Sequence, residues 1–432
     1  MLAEVVPAIA GVNFGCPTLQ GAACTRYAVQ GIIPALVLLP ESEQATATAL
    51  AACTAQGLAV APWGGGTLQA IGNLPTRLDA VLSLERLDQI VSYEPADLTI
   101  SVQAGVTLAS LHSALAANRQ MLPFDVATPE RATIGGAIAT NLAGPRRFGM
   151  GSYRDLLIGL TVAAPDGTIS KAGGMVVKNV SGYDMMKLHL GALGSLGLLL
   201  RLNFKVLTEP ALDCTVTIDG ASAVLVELAA ALARSQLTLD SIELFGPGVP
   251  DPSDDGWRLA VRLTGSEQGL ARKRRDVEAL CAAAGLAADW NDGPPMLAWW
   301  QRCTEFLSPT TTPVDEALLR VSAPPAQLKD LIAHLQSAVR EATVEARLAA
   351  HAGNGVLFAR LHGEHLAAAL PALFSALATR WNAVTLLAAP QVAKQHLDVW
   401  GPPPAGFPLM QQIKEQFDPR STLNPGRFLG RL

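Results

Sequence analysis

The sequence predicts an α+β fold with two main domains, and three observations support this prediction. A chain of 432 residues is longer than a single compact core usually allows. Short apolar strands alternate with helices in the first half of the chain, which also contains hairpin signals. After Pro210 the texture changes, and the predicted strands alternate with helices that are rich in alanine. The second half therefore predicts an antiparallel sheet backed by helices.

The first half begins with a strand–helix–strand unit that leads into a run of glycines. Residues 34–39 and 58–62 are the predicted strands, and between them Ser42 caps a helix that ends at Gly57. Thr107 caps a second predicted helix. Further strands are predicted at residues 80–84, 89–93, 98–103, 156–164 and 168–172, the last two joined as a hairpin.

The second half repeats strands and helices up to a proline-rich tail that starts at Gly401. Its predicted strands are residues 214–218, 241–245 and 258–263, its helices are 221–234 and 269–284, and a strand–helix pair spans 317–341.

Composition excludes several classes of protein. The 32 Lys and Arg residues against 37 Asp and Glu give a net charge of −5, so the chain has no electrostatic signature for nucleic acid. Its apolar runs are shorter than the roughly 20 residues needed to span a membrane. The six cysteines form no C-x-x-C pair, which predicts reduced thiols and no zinc or iron–sulfur site. The N-terminus lacks a secretory signal, so we expect a cytoplasmic protein.

The run Pro62-Trp63-Gly64-Gly65-Gly66-Thr67 follows the second strand directly. Successive glycines can turn several amide N–H groups toward one point, and such a nest binds pyrophosphate without a basic side chain. The run matches neither the P-loop nor the G-x-G-x-x-G fingerprint. Taken alone, it is equally compatible with a glycine-rich turn that binds nothing.

Two more glycine motifs follow in the chain. Thr133-Ile134-Gly135-Gly136 opens a predicted helix, whose N-terminus would favour a negatively charged ligand and whose small side chains leave room for a flat ring. Residues 191–197 contain Gly191, Gly194 and Gly197. Taken singly, each motif is more typical of close packing than of a ligand site.

The order and spacing of these motifs resemble the FAD-linked oxidases of the vanillyl-alcohol oxidase type, which share a bipartite, PCMH-type FAD-binding domain. The resemblance rests on segments 62–67, 93–97, 133–136, 194–197 and 417–426. Within this superfamily, segments 97–99, 144–147, 154–157 and 177–184 most resemble the FAD-binding subunits of glycolate oxidases. The implied organisation is an N-terminal extension (1–28), the FAD-binding domain (29–210), a smaller cap domain (211–400) and a tail that returns to the flavin (401–432).

The resemblance also implies an FAD site. Gly64 to Thr67 would hold the pyrophosphate, Gly194 to Gly197 would lie near the adenine, and Asn424 would approach the isoalloxazine. Covalent relatives often carry histidine where this chain has Gly66, so a noncovalent flavin is expected. The implied site residues are Pro62, Gly64, Gly65, Gly66, Thr67, Pro129, Thr133, Gly135, Gly136, Thr140, Gly144, Gly194, Gly197 and Asn424.

The chain departs from the catalytic members of the superfamily. Their His-x-Gly-Asp-Gly-x-x-His motif, which supplies metal ligands, corresponds here to residues 351–358, with Asn354 for the carboxylate and Phe358 for the second histidine. Their later Gly-Glu-His-Gly motif corresponds to residues 390–394, which contain neither Glu nor His. We therefore assign no catalytic residue and no metal site.

These departures favour a flavin-bearing subunit that does not itself oxidise the substrate. The resemblance implies that it works with a larger catalytic FAD subunit and an iron–sulfur subunit. Such a complex could touch a membrane through its partners. Two alternatives remain: a self-sufficient dehydrogenase whose base is His351, Lys394 or His396, and a scaffold subunit whose flavin never turns over.

Three other motifs have simpler interpretations. The segment 362–365 (His-Gly-Glu-His) is predicted to be structural, and Trp299 and Trp300 are predicted to pack in the second domain. The basic run 272–275 is predicted to be a solvated helix face, because acidic residues follow it.

Overall fold

The computed structural model describes residues 11–176, 183–309 and 315–432, and its long strands form three sheets. The first sheet has four strands in the order β1–β2–β4–β3, with β2 and β3 parallel to β4 and β1 antiparallel to β2. Its elements are β1 (Thr18–Gln20), β2 (Leu36–Leu38), α1 (Glu43–Ala55), β3 (Val60–Trp63) and β4 (Ala80–Ser83).

The predicted strand–helix–strand unit is confirmed by β2, α1 and β3. The Ser42 hydroxyl accepts a hydrogen bond from the Ala45 amide and so caps α1. Residues of the N-terminal extension join this sheet: β1 pairs with β2, and the 3-10 helix Gly21–Tyr27 buries Cys24 and Tyr27 against it. The described part of the extension therefore belongs to the core of the first half.

The second sheet is antiparallel, with five strands in the order β5–β6–β10–β8–β9. Its predicted hairpin is confirmed, since β8 pairs antiparallel with β9. Helices and one small strand pair (β7 with β11) connect the strands. The elements are β5 (Ile90–Glu94), β6 (Thr99–Gln103), α2 (Leu108–Ala116), β7 (Gln120–Met121), α3 (Ile134–Thr140), α4 (Arg147–Met150), α5 (Tyr153–Leu156), β8 (Leu157–Ala163), β9 (Ile169–Gly173), α6 (Met186–His189), β10 (Leu198–Lys205) and β11 (Leu207–Thr208).

The third sheet has eight antiparallel strands in the order β15–β12–β14–β13–β17–β18–β16–β19, which confirms the predicted antiparallel second half. The sequence patterns did not reveal α9, β17 or β19. The elements are β12 (Leu212–Gly220), α7 (Ser222–Arg234), β13 (Ser241–Phe245), β14 (Trp257–Gly265), α8 (Glu267–Ala283), β15 (Asp289–Asp292), α9 (Gly293–Phe306), β16 (Glu316–Ser322), α10 (Leu328–Glu341), β17 (Glu345–His351), β18 (Val356–His362), α11 (Leu366–Arg380) and β19 (Ala383–Ala388).

The two faces of this sheet differ in chemistry because successive side chains along a strand alternate between the faces. One face is aliphatic and packs under α7, α8, α10 and α11. The opposite face carries Glu243, His351 and Phe358, with α9 packed beside them. Trp299 and Trp300 of α9 are buried there, and Trp300 Nε1 donates to Thr215 Oγ1 at 2.8 Å. The prediction that this tryptophan pair serves packing is therefore confirmed.

The chain end runs back to the first sheet through α12 (Gln391–Gln395) and α13 (Phe407–Phe417). Leu423 forms a parallel bridge with Val60 of β3. A buried ion pair fixes this return, since Lys414 Nζ lies 2.7 Å from Asp418 Oδ2 and also donates to the carbonyls of Ser195 and Leu423.

The remaining predictions about composition can be checked only on the described ranges. The basic run lies on α8, where Arg272 and Arg274 pair with acidic residues one turn later, which confirms a solvated helix face. All six cysteines are free thiols. Within the described ranges, every helix is too short or too polar to cross a lipid bilayer.

Breaking the buried Lys414–Asp418 ion pair should strongly destabilise the protein. Lys414→Met should lower the free energy of unfolding by about 3–5 kcal/mol, because the buried carboxylate of Asp418 would lose its partner. Lys329→Met is the control, since it breaks the exposed pair with Glu227 and should cost less than about 1 kcal/mol. Urea unfolding measures both variants, and equal small losses would contradict the role given to the buried pair.

Candidate functional site

A cavity of about 1290 Å³, measured with its open mouth, lies between the first two sheets, the polar face of the third sheet and the returning tail. Pro129 is the exception among the predicted site residues: it does not line the cavity, although Thr128 beside it does. The predicted residues that the structure brings together around the cavity are Pro62, Gly64, Gly65, Gly66, Thr67, Thr133, Gly135, Gly136, Thr140, Gly144, Gly194, Gly197 and Asn424.

The glycine loop offers a row of free amide donors to this cavity. Among the described residues, the N–H groups of Gly64, Gly65, Gly66 and Thr67 have no hydrogen-bond acceptor in the protein. Gly66 has a φ of +69°, a left-handed conformation that favours glycine and helps to turn neighbouring amides the same way. A half-buried row of free amides is a nest for an anion, so the loop fits a pyrophosphate.

The carbonyl groups of residues 69–72, which follow the glycine loop, accept hydrogen bonds from other parts of the protein. Arg427 Nη2 donates to the carbonyls of Gln69 and Ile71 at 3.0 and 2.7 Å. Lys394 Nζ and Gln30 Nε2 both donate to the carbonyls of Ala70 and Gly72. Three buried or half-buried donors from distant parts of the chain therefore hold the loop in place.

Lys394 is fully buried in this arrangement. Burial, and to a smaller extent the charge of Arg427, lower the pKa of Lys394 to about 7. The ammonium group is turned toward the loop carbonyls and does not line the cavity. Its position gives it a role in holding the loop.

Most of the site glycines are explained by packing inside the protein. A Cβ atom on Gly65 would lie 1.6 Å from the carbonyl oxygen of Arg131, and one on Gly64 would lie 2.2 Å from Thr133 Oγ1. Gly136 differs, because a Cβ there would meet only Thr133 Oγ1, at 3.3 Å. Its side-chain position opens into the cavity, so protein packing does not account for the glycine.

The N-terminus of α3 was predicted to favour a negatively charged ligand, but its first amides are already hydrogen-bonded within the protein. The amides of Ile134 and Gly135 donate to the carbonyls of Val106 and Ala104, and the Gly136 amide donates to the Thr133 hydroxyl. The first turn therefore has no free N–H group for an anion, and the prediction that it would favour negative charge on the ligand was wrong. The helix contributes shape, because Gly136 and Thr140 present a smooth half-buried wall to the cavity.

Asn424 and the turn at residues 191–197 lie side by side. Asn424 Nδ2 donates to the Leu193 carbonyl at 2.6 Å, and its Oδ1 accepts from Arg427. A Cβ on Gly194 would lie 2.9 Å from Pro62. The resemblance implied that Asn424 and this turn serve opposite ends of the dinucleotide, but their contact places them at one end of the cavity.

Asp125, which lines another part of the wall, belongs to a half-buried ion pair that the sequence did not reveal. Arg146 Nη2 lies 2.7 Å from Asp125 Oδ1, and the Arg146 amide donates to Asp125 Oδ2. Burial would raise the pKa of Asp125, but the charge and hydrogen bonds of Arg146 outweigh it and lower that pKa. A Cβ on Gly144 would lie 2.5 Å from Asp125 Cβ, which explains the glycine that precedes the two arginines.

The third sheet closes the far end of the cavity with His351, Phe358 and residues of α9 and its following turn. His351 Nδ1 lies 2.7 Å from Glu243 Oε2, and the two side chains are 3% and 1% exposed. The Phe358 ring stands edge-on to the imidazole, with ring centres 5.0 Å apart. Burial raises the pKa of Glu243, although the neighbouring His351 partly opposes that rise.

Other histidines lie outside the cavity. His396 and His365 are exposed, and His362 contacts Arg347 on the sheet. Within the described ranges, no group of three or more His, Cys, Asp or Glu side chains is placed to hold a metal ion. The interpretation of segment 362–365 as structural is consistent with this placement.

Family models match most of the chain. The model described as an FAD binding domain matches residues 34–173, and the model described as FAD linked oxidases, C-terminal domain, matches residues 212–396 and 402–428. The chain belongs to the FAD-linked oxidases. It is an FAD-dependent oxidoreductase, and FAD is its cofactor.

Curated relatives of this FAD-linked oxidase carry related names. D-2-hydroxyglutarate dehydrogenase of Xanthomonas citri pv. viticola is 29% identical over 324 residues, which cover 71% of this chain and 68% of the relative. Glycolate oxidase subunit GlcD of Bacillus subtilis is 25% identical over 433 residues, covering 92% and 90%. Glycolate oxidase subunit GlcE of Escherichia coli is 42% identical over 122 residues, covering 28% of this chain and 35% of that subunit.

Solved structures show the same fold at low identity. p-Cresol methylhydroxylase superposes with a TM-score of 0.73 at 15% identity, covering 91% of this chain and 88% of that one. Alkyldihydroxyacetonephosphate synthase gives 0.72 at 16% identity, covering 98% and 84%. The PCMH-type fold expected from the motifs is therefore confirmed.

Because the side-chain position of Gly136 opens into the cavity, a larger side chain there should weaken FAD binding without preventing folding. Gly136→Leu should weaken FAD binding by at least about tenfold, equivalent to ~1.4 kcal/mol, because the side chain would fill the cavity. Gly269→Leu is the matched control: it stands three residues after a capping Ser266, meets only Ser266 Oγ at 3.2 Å, and lies outside the cavity.

Fluorescence titration of the apoproteins with FAD measures the affinity, and thermal unfolding shows that both variants fold. Unchanged FAD affinity in Gly136→Leu would contradict the placement of the ligand against α3.

Proposed function

We propose that this chain is the FAD-binding subunit of a multisubunit glycolate, or other 2-hydroxy-acid, oxidase. Substrate oxidation takes place mainly on a larger catalytic FAD subunit, and an iron–sulfur subunit takes the electrons onward. The names of the relatives GlcD and GlcE support a multisubunit assembly of this kind. The flavin of this chain then serves as an electron relay or as a structural cofactor.

The observation that carries this proposal is the side chain beside His351. In the catalytic relatives, the motif that resembles residues 351–358 ends in a second histidine, whereas here Phe358 occupies that position and packs edge-on against His351. A phenyl ring cannot bind a metal ion. Lys394, which stands where the second catalytic motif is expected, hydrogen-bonds the loop carbonyls instead.

The residues around the cavity suit a complete dinucleotide. The free amides of residues 64–67 would hold the pyrophosphate, and the wall formed by Gly136 and Thr140 would lie against the flavin or its ribityl chain. FAD, when bound, supplies the reversible acceptance of electrons. The cap end, with His351 and Phe358, would face the isoalloxazine.

Noncovalent binding is part of the proposal. The loop has Gly66 where covalent relatives often carry histidine. Tyr153 also lines the cavity, but its hydroxyl donates to the Leu142 carbonyl and burial raises its pKa, which disfavours the nucleophilic phenolate.

We also propose the domain boundaries 1–28, 29–210, 211–400 and 401–432, with residues 11–28 of the extension packed on the FAD-binding domain. We propose a cytoplasmic location, with any membrane contact made through partner subunits. Two findings support the last boundary. Leu423 bridges Val60, and the Asn424 amide donates to the Val60 carbonyl, so the tail packs on the FAD-binding half.

One observation favours a second candidate, a self-sufficient 2-hydroxy-acid dehydrogenase. His351 lines the cavity and hydrogen-bonds the buried Glu243, an arrangement that suits a general base. Of the three candidate bases, His351 is the one with access to the cavity, because Lys394 is turned away and His396 is exposed outside it.

Anaerobic addition of glycolate separates these functions. The purified chain with bound FAD should keep its visible absorption when glycolate is added. When the catalytic and iron–sulfur chains are present, glycolate should bleach the flavins of both FAD-binding chains. Bleaching of the isolated chain would support the self-sufficient enzyme and contradict the relay. Bleaching of the catalytic subunit's flavin alone in an active complex would also contradict the relay and would leave the flavin of this chain a structural role.

A further inference from the structure

We infer that Glu243 is a positioning residue that fixes the imidazole of His351, so that Nε2 of His351 accepts a hydrogen bond from the ligand at the cap end of the cavity. The donor is either an N–H group of the isoalloxazine or the hydroxyl of a 2-hydroxy acid. The inference rests on the proposed placement of the flavin beneath the third sheet.

The strand register brings the two residues together. Glu243 on β13 stands directly opposite His351 on β17, although the two are 108 residues apart in sequence. Opposed residues in an antiparallel pair point to the same face. Both side chains are therefore directed to the polar face of the sheet, where His351 reaches the cavity.

The contact with Glu243 occupies Nδ1 of His351 and leaves Nε2 for the cavity. His351 Nδ1 lies 2.7 Å from Glu243 Oε2, and Nε2 has no partner among the described residues. Phe358 stands edge-on to the ring and restricts its rotation. A carboxylate that accepts from Nδ1–H leaves the lone pair on Nε2, as second-sphere carboxylates do for functional histidines.

Glu243 has few polar neighbours other than His351. Burial raises the pKa of Glu243, and its second oxygen, Oε1, has no donor among the described residues. The charged groups that act on it are Arg147 of α4, which lowers its pKa, and Asp125, which raises it. Cys303 of α9 is also close to Glu243. The hydrogen bond from His351 is therefore the main compensation for the carboxylate.

The Phe358 ring packs against the imidazole of His351 and offers it no hydrogen-bonding group. The polar contacts of His351 are therefore made to Glu243 and into the cavity. Neither Lys394 nor His396 offers a competing acceptor there.

Nitrogen NMR of the chain labelled with ¹⁵N-histidine tests the inference. His351→Asn identifies the His351 signals, which should show Nδ1 protonated and Nε2 unprotonated. The Nε2 signal should shift on adding FAD if the flavin is the donor, or only on adding glycolate to the FAD-loaded protein if the hydroxy acid is the donor. A proton on Nε2, or no shift with either addition, would overturn the inference.

Glu243→Gln tests the positioning role separately from folding. It should weaken the preference for the Nδ1–H form, because a neutral amide can donate to Nδ1 as well as accept from it. FAD affinity should stay within about threefold, because Glu243 does not line the cavity. Glu316→Gln, on the same sheet beside Arg360, is the control and should leave the His351 signals unchanged. Unchanged His351 signals in Glu243→Gln would refute the positioning role. These readouts use oxidised flavin, so they remain informative if the relay with partner subunits fails.

Discussion

The central constraint in this structure is the division of hydrogen-bonding groups along residues 64–72. The amides of residues 64–67 have no protein acceptor, whereas the carbonyls of residues 69–72 accept from Arg427, Lys394 and Gln30. Because unpaired backbone groups are costly once buried, the free amides are stable only if water or a ligand binds them. The three donors prevent the loop from turning those amides inward, so the loop is prepared for an anion before one arrives.

The same donors explain how distant segments form one site. Gln30 lies between β1 and β2, Lys394 is near the end of the cap half, and Arg427 belongs to the tail, yet all three meet at one loop. The cap sheet adds the second wall, because its alternating side chains give it an aliphatic face for helices and a polar face for the cavity. Retention of the flavin and docking of the cap and tail are therefore physically linked in this FAD-linked oxidase.

Local signals made much of this predictable. The Ser42 cap, the turn between β8 and β9 and the glycine loop all act within a few residues, and the structure follows them. Pairings over long sequence distances could not be predicted from one sequence. Glu243 meets His351 through the register of β13 and β17, and Lys394 meets a loop 324 residues earlier. The prediction that the N-terminus of α3 would favour a negatively charged ligand failed for the same reason, because the carbonyls of Val106 and Ala104, which accept from its amides, belong to another segment.

Hydrogen–deuterium exchange of the segment 60–70 tests the central claim most directly. The account predicts fast exchange of the amides of residues 64–67 in the apoprotein and strong protection of the same amides when FAD is bound, since the pyrophosphate would become their acceptor. Saturating FAD that leaves the exchange of these amides unchanged would contradict the account, because the cofactor would then be held by other groups.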